Sequence, residues 1–305
     1  MKLPQSASAP TFVRCPLCKA SLSPNEKTWQ CENGHSFDIA KQGYTNLLPV
    51  QNKKSKAPGD DANMVSSRSR FLNQKFYQPI SDKINEVLIK YFNTANIENP
   101  NILDAGCGEG YYTNQLHDAL RMKNEKDTFS ITGIDISKQA VVAAAKRNKS
   151  VNWFVGSSSD LPLDNNSQQC ILSLFSPVPA LEFDRCLSHD GLLIVASTGE
   201  NHLIELRKIL YDEVRKKTFN PTNAVESFFK PVHLHSFDIQ QIYTVSFTIE
   251  LVDSDTIKSL FAMTPHYWRV SPQRKEILDT INELAITVDI QLHLFSPSTH
   301  KEQRK

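Results

Sequence analysis

Four residues near the start of the chain have the types and spacing to hold a metal. Cys15 and Cys18 are followed, after twelve residues, by Cys31 and then His35. Two thiolates two residues apart can grip one ion from a tight turn, and a second pair after a short hairpin closes a tetrahedron. Three sulfurs and one imidazole suit Zn²⁺, and with no position left open the site reads as structural. Disulfides are the poorer reading. The opening residues MKLPQSASAPTF lack the apolar core of a signal peptide, so a cytoplasmic location is expected. A segment this small has too thin a core to fold without its metal. Cys107, Cys170 and Cys186 have no such spacing and read as small buried apolar residues.

The second chemical stretch is Asn101 to Tyr112, NILDAGCGEGYY. Ile102 and Leu103 read as the end of a buried strand. Asp104 closes it, Gly106, Gly108 and Gly110 follow, and a helix begins near Tyr111. Glycine at alternate positions lets backbone approach a ligand closely, and the helix N-terminus behind the turn offers free N–H donors. A dinucleotide fingerprint needs Gly-x-Gly-x-x-Gly, but its third position here is Tyr111. The pattern present, Gly-x-Gly-x-Gly after an acidic strand end, resembles motif I of the S-adenosylmethionine-dependent methyltransferases. Asp135 ends a second strand, SITGID, twenty-five residues after Gly110. In a doubly wound sheet a carboxylate there meets the ribose hydroxyls of a nucleoside.

A narrower resemblance runs through the chain in order. Cys15-Pro-Leu-Cys18, Cys31…His35, Phe37-Asp38, Lys41-Gln42-Gly43-Tyr44, Asn46-Leu47-Leu48-Pro49 and Pro58-Gly59-Asp60 come first. Phe76-Tyr77-Gln78-Pro79, the glycine-rich stretch through Thr113, and Met263-Thr264-Pro265…Trp268-Arg269 follow. This order resembles the bacterial 23S ribosomal RNA (guanine-N1)-methyltransferases, from about Cys15 to Phe295. The resemblance implies S-adenosyl-L-methionine as methyl donor, with Tyr77, Asp104, Gly106, Gly108, Glu109, Asp135 and His202 at the donor site. It also implies a structural zinc on Cys15, Cys18, Cys31 and His35, and a 23S rRNA hairpin as partner. The target would be a loop guanine of domain II, of the guanine-745 type, and the family comparison suggests a homodimer.

One departure concerns the adenine. Many methyltransferases place Asp directly after the glycine that ends the third strand, whereas here Gly156 is followed by Ser157. Ser157, Ser158 or a backbone N–H must serve instead, and the nearest carboxylate is Asp160. The strand end Leu174-Phe175-Ser176-Pro177 is where base-modifying methyltransferases support the acceptor ring, so Phe175, Ser176 and Pro177 are the catalytic candidates. Phe175 could stack on a guanine; a plain apolar strand end with a Pro turn reads equally well. Guanine N1 carries a proton that some group must take, and Asp160, His202 or a bound water are candidates.

These residues need a scaffold. Strands are expected near 101–104, 130–134, 151–155, 169–175 and 191–196, alternating with helices over Thr113–Arg121, Lys138–Lys146 and Ala180–Leu187. That alternation predicts an α/β, Rossmann-like parallel sheet with right-handed crossovers. A helix from Gln78 to Phe92 covers a sheet edge, and another runs from His202 to about Lys217. Strand Ile242–Val252, helices Ser254–Ala262 and Gln273–Ala285, and strand Thr287–Phe295 complete a seven-stranded class I methyltransferase domain, the last strand reversed as the family implies. The expected organisation is a small N-terminal zinc-ribbon-like module over 1–50, a basic linker over 51–75 and the methyltransferase domain over 76–305.

Of the 305 residues, 40% are hydrophobic and 22% charged, as in globular proteins, and no apolar run is long enough to cross a membrane. The net charge of +1 hides an asymmetry. Residues 1–76 hold eleven Lys/Arg against five Asp/Glu, leaving twenty-three against twenty-eight for the rest. A basic front suggests a polyanion, and a solvated charged face explains the count as well. The same holds for the linker with Lys53, Lys54 and Lys56, which is either a grip on phosphates or a flexible connector. Two other functional classes compete with an rRNA enzyme: a small-molecule methyltransferase whose zinc module is only a lid, and a non-catalytic RNA-binding protein.

Overall fold

The computed structural model describes residues 12–49, 58–123, 129–214 and 237–298. Among the described residues the chain forms eleven strands and nine α-helices. Strands β1 (Leu22–Asn25), β2 (Thr28–Cys31) and β3 (Ser36–Asp38) form a small antiparallel sheet in the metal module. Next come β4 (Tyr44–Asn46), α1 (Ala62–Asn73), α2 (Gln78–Thr94), β5 (Asn101–Ala105), α3 (Tyr111–Lys123), β6 (Ser130–Asp135), α4 (Lys138–Arg147) and β7 (Asn152–Val155). The second half holds β8 (Gln168–Leu174), α5 (Ala180–Cys186), β9 (Leu187–Thr198), α6 (Ile204–Leu210), β10 (Phe237–Leu251), α7 (Ser254–Ala262), α8 (His266–Arg269), α9 (Pro272–Ile277) and β11 (Leu284–Pro297).

The main sheet has the order β10-β11-β9-β8-β5-β6-β7-β4. All neighbours from β9 to β4 pair in parallel, whereas β11 is antiparallel to both β9 and β10. The order reverses at β5, and its glycine turn opens at the carboxyl edge beside the ends of β6 and β8, where ligands bind in such sheets. β5, β6 and β8 are buried almost throughout, as strands covered on both faces are, whereas edge strand β10 is mostly exposed or half-buried.

The sheet has eight strands where seven are expected. The eighth is β4, whose Tyr44, Thr45 and Asn46 pair with Trp153, Phe154 and Val155 of β7. The metal module is also one of the two layers that cover the sheet. On one face, Ile102, Cys170, Leu172 and Ile194 pack with apolar residues of α2, α3, α4, α6 and α7. On the other, Leu103, Ile171, Leu193 and Phe154 share a core with Phe12, Val13, Cys15, Leu22, Trp29, Cys31 and Leu47, helped by Phe183 of α5. Trp29 meets Phe154 edge to face, with ring centroids 5.5 Å apart. The backbones join too: Val13 bridges Leu163, Arg14 pairs with Asp164, and Lys19 reaches Asp160 at 2.8 Å.

Three further elements differ from the sequence reading. Residues 62–73, expected within a linker, form helix α1, capped by the Asp61 carboxylate accepting from the Met64 N–H at 2.9 Å. Its buried Met64, Val65, Phe71 and Leu72 explain why it is helical, and it packs on α7. Residues 51–57 lie outside the described residues. The helix after His202 ends at Leu210, where Tyr211 turns extended; the rest of the expected span, from residue 215, lies outside the described residues. Gln273–Ala285 is not one helix either. α9 ends at Ile277, a 3₁₀ turn covers Leu278–Thr280, and by Leu284 the chain is in β11.

Candidate functional site

The ligand atoms of Cys15, Cys18, Cys31 and His35 all lie within 4.8 Å of one another. A tetrahedral zinc with ordinary bond lengths has S···S edges of about 3.7 Å and S···N edges of about 3.6 Å. Here Cys18 Sγ lies 3.7 Å from Cys31 Sγ, and His35 Nδ1 lies 3.6 Å from Cys15 Sγ and 3.4 Å from Cys31 Sγ. Backbone turns set these distances: the Lys19 N–H donates to the Cys15 carbonyl, and the Gly34 N–H to the Cys31 carbonyl. Asn33 Nδ2 donates to Cys18 Sγ at 3.3 Å, which leads the causes that bring this thiol down to about 6. Burial pushes the Cys15 thiol the other way. The set is a structural zinc site.

The glycine turn lies at the other end of β5. The Gly106 and Cys107 N–H groups both donate to the Ile134 carbonyl, fastening the turn to β6. Its glycines differ in purpose. A Cβ on Gly106 would lie 2.5 Å from Ser176 Cβ, and one on Gly110 would lie 2.9 Å from both Ala144 and Trp153, at a φ of +80°. Those two are needed by the fold. A Cβ on Gly108 would have only Arg68 Nη1 within 4 Å, at 3.5 Å, so this position is open to a ligand.

Carboxylates surround the turn. Asp135 accepts from the Gly108 N–H at 2.9 Å and the Ser137 N–H at 2.8 Å, and these bonds fix its orientation while leaving further lone pairs for hydroxyl groups. Asp104 is buried; Oδ2 accepts from Thr113 Oγ1 at 2.6 Å, while Oδ1 has no partner among the described residues. Burial, with the neighbouring Asp135 and Glu109 charges, pushes its carboxyl up to about 7 despite the Thr113 bond. A buried carboxyl in that condition is short of a cation, which the ammonium of an amino-acid group would supply. Glu109 is also buried. It accepts from the Tyr111 N–H at 2.9 Å and faces Arg147 at 3.6 Å, while Arg147 also binds Asn73.

Tyr77 and His202 are neighbours, with ring centroids 6.3 Å apart and their planes tilted by 59°. The buried Tyr77 hydroxyl has no partner among the described residues. Burial holds the His202 imidazole down at about 4, helped by His266 and Arg207, so the ring is neutral near pH 7. Its Nδ1 accepts from the Asp289 N–H at 3.3 Å, which places the ring proton on Nε2.

Phe175 at the end of β8 is 43% exposed and has a φ of +58°, a left-handed conformation rare for a bulky side chain. Its ring lies 6.1 Å from that of Tyr112, whose hydroxyl is buried and lacks a partner among the described residues. Ser176 points inward: its hydroxyl donates to the Ala105 carbonyl at 2.7 Å and lies 2.9 Å from Ser173 Oγ, so it buttresses the glycine turn. Pro177 is exposed beside it.

Ser157 and Ser158 lie in a local turn after β7, where Ser157 Oγ accepts from the Ser159 N–H. Asp160 pairs with Lys19 of the metal module. Sequence reasoning missed Tyr112, Arg147 and the placement of Arg68, whose guanidinium reaches Asp60 at 2.5 Å and the Met263 carbonyl at 3.5 Å. The glycine-rich motif names Tyr112; nothing local marks Arg68. Trp268, 63% exposed, donates from Nε1 to Met64 Sδ at 3.2 Å, so α8 lies against α1.

Comparison with known proteins agrees with both halves. Residues 13–56 match the zinc-ribbon family described as RlmA, N-terminal, and residues 102–189 match a methyltransferase domain family. YxjB of Bacillus subtilis, named as a 23S rRNA (guanine-N1)-methyltransferase, is 34% identical over 285 residues, covering 92% of this chain and 96% of its own. The 23S rRNA (guanine(748)-N1)-methyltransferase of Streptomyces fradiae is 29% identical over 283 residues, covering 91% and 94%. With the glycine turn, its carboxylates and the zinc set in one chain, this likeness over nearly its whole length identifies an S-adenosylmethionine-dependent enzyme that belongs to the 23S rRNA (guanine-N1)-methyltransferase family.

Proposed function

We propose that this enzyme transfers a methyl group to N1 of an unpaired guanine in a hairpin of 23S rRNA, with domain II as its location. The observation that carries the reading is the exposed, left-handed Phe175 beside Tyr112, at the carboxyl edge of the sheet next to the glycine turn. N1 lies on the base-pairing edge, so the base must be outside a helix before it can react, as in a loop or after flipping. Stacking of such a base on an aromatic ring contributes about 1–3 kcal/mol.

The bound donor supplies an electrophilic methyl group on a sulfonium. The chain's own contribution is mainly position, since in-line transfer gains most from holding two atoms in register. Asp135 takes the ribose hydroxyls, Asp104 and the glycine turn hold the amino-acid end, and Tyr77 and His202 close the opposite wall. Neither protein candidate for the N1 proton is well placed. Asp160 is engaged by Lys19, and the accepting nitrogen of His202 is taken by Asp289. Water is therefore the acceptor in this reading. The zinc layer and the basic front supply the RNA grip.

The test is to incubate the protein with labelled donor and 23S rRNA fragments and map the modified base. A single N1-methylguanine in the domain II hairpin is expected, with RNA affinity falling steeply as salt rises. Labelling of a free metabolite with no salt-sensitive RNA binding would overturn the reading.

A further inference from the structure

Arg68 is the residue at the site whose position has no purpose in the account above. It belongs to α1, yet its guanidinium lies over Gly108, the one glycine of the turn open to a ligand. It is close enough to Asp135, Glu109 and Tyr112 for its charge to act on all three. Asp60 holds Nη1 at 2.5 Å, and Asp60 is itself anchored, its carbonyl accepting from the Ser137 hydroxyl at 2.6 Å. The contact from Nη2 to the Met263 carbonyl, at 3.5 Å, is at the limit of a hydrogen bond and is easily exchanged. Nη1 is thus held by Asp60 through one N–H and keeps its second beside Gly108, while Nη2 adds donors once the Met263 contact is exchanged.

The charges of the site say what it is available for. Asp104, Glu109 and Asp135 are three carboxyl groups around one turn, and a methyl donor of this class brings two cations, ammonium and sulfonium, with one carboxylate. Glu109 faces Arg147 and Asp135 takes the ribose hydroxyls, which leaves Asp104, with an unpartnered oxygen, for the ammonium. The donor's carboxylate needs a cation of its own, and Arg147 is already engaged by Glu109 and Asn73. We propose that Arg68 binds the carboxylate of the methyl donor, with Asp60 as the positioning residue that aims its guanidinium. This rests on the assignment of the glycine turn as the donor site. The Pro58-Gly59-Asp60 segment, α1 and the Met263 loop then meet at one side chain, so donor binding and the seating of α1 are coupled through it.

Calorimetry of the full chain with S-adenosylmethionine and with its decarboxylated analogue tests this without recourse to activity. Wild type is expected to prefer the carboxylated donor by about ten- to a hundredfold, the range for a hydrogen bond between charged groups. Arg68→Gln should lose that preference, binding S-adenosylmethionine that much more weakly and the analogue almost as wild type does. Arg68→Lys, which keeps a charge, should recover part of it, and Asp60→Asn should lower it without abolishing it. If Arg68→Gln weakens both ligands equally, Arg68 is only a structural clip and the proposal falls. It falls also if S-adenosylmethionine affinity is unchanged, and in that case the donor site stands. If wild type binds neither ligand, the donor site itself is misassigned and the proposal goes with it.

Discussion

Single residues separate fold from function most cleanly in the glycine turn. Gly110→Ala would push a methyl group against Ala144 and Trp153 at a φ of +80°, so a loss of roughly 1–3 kcal/mol in stability is expected by chemical denaturation. Gly108→Asp meets no such wall. Its φ of +55° is one that Asp tolerates at modest cost. It should therefore fold with a melting temperature lowered by only a few degrees while donor binding falls below calorimetric detection, because its carboxylate would pair with Arg68 and stand where the ligand belongs. Asp104 gives a prediction with a sign. Its carboxyl titrates near 7 in the free protein, and a bound ammonium would pull it down. Binding must then release protons, and donor affinity should rise with pH through about 7 and level off above it. Calorimetry at pH 7 in buffers of different ionisation enthalpy should register that release, and Asp104→Asn should remove it. The glycines, Asp104 and Asp135 were legible in the sequence because they act within one strand–turn–helix unit, where spacing in the chain is spacing in space. The placement of Arg68 and the pairing of Tyr112 with Phe175 were not, since they depend on which elements fold over the turn.

At the scale of elements, the reading went astray where tertiary packing decided the structure. α1 looks like linker in the sequence because Ser66, Ser67, Arg68, Ser69 and Arg70 interrupt its apolar residues. What makes it a helix is the Asp61 cap and a buried face set against α7. Asp61→Ala should therefore cost about 1 kcal/mol of stability by denaturant titration, together with a measurable drop in donor affinity, since the helix carries Arg68. Strand β4 is three residues with no alternating pattern of its own; its strand character comes from β7. The span Gln273–Ala285 keeps helical spacing in sequence, but Leu278 turns into the core and the chain then leaves as β11, the reversed strand between β9 and β10. The buried strands β5, β6 and β8 were recognisable because burial on both faces leaves short clusters of apolar residues, Ile102-Leu103, Ile131 with Ile134, and Cys170-Ile171-Leu172, without strict alternation.

For the whole molecule, the metal does more than keep a small appendage folded. Chelation should release about one zinc per chain, lower the melting temperature by many degrees and shift Trp29 emission to the red as the Trp29–Phe154 contact opens. Unchanged emission after complete zinc loss would show that the module stays seated without its ion. Its reach follows from β4 and the shared core: residues 12–49 supply one edge strand of the sheet and most of one covering layer. Cut at the start of α2, the remaining fragment would bare the flank of β7 and the apolar side of Phe154, Leu163 and Ile171 together. Such a fragment would clump rather than work as a stripped-down catalyst, so swapping recognition modules by cutting here cannot succeed unless the donor sequence brings a replacement for that wall.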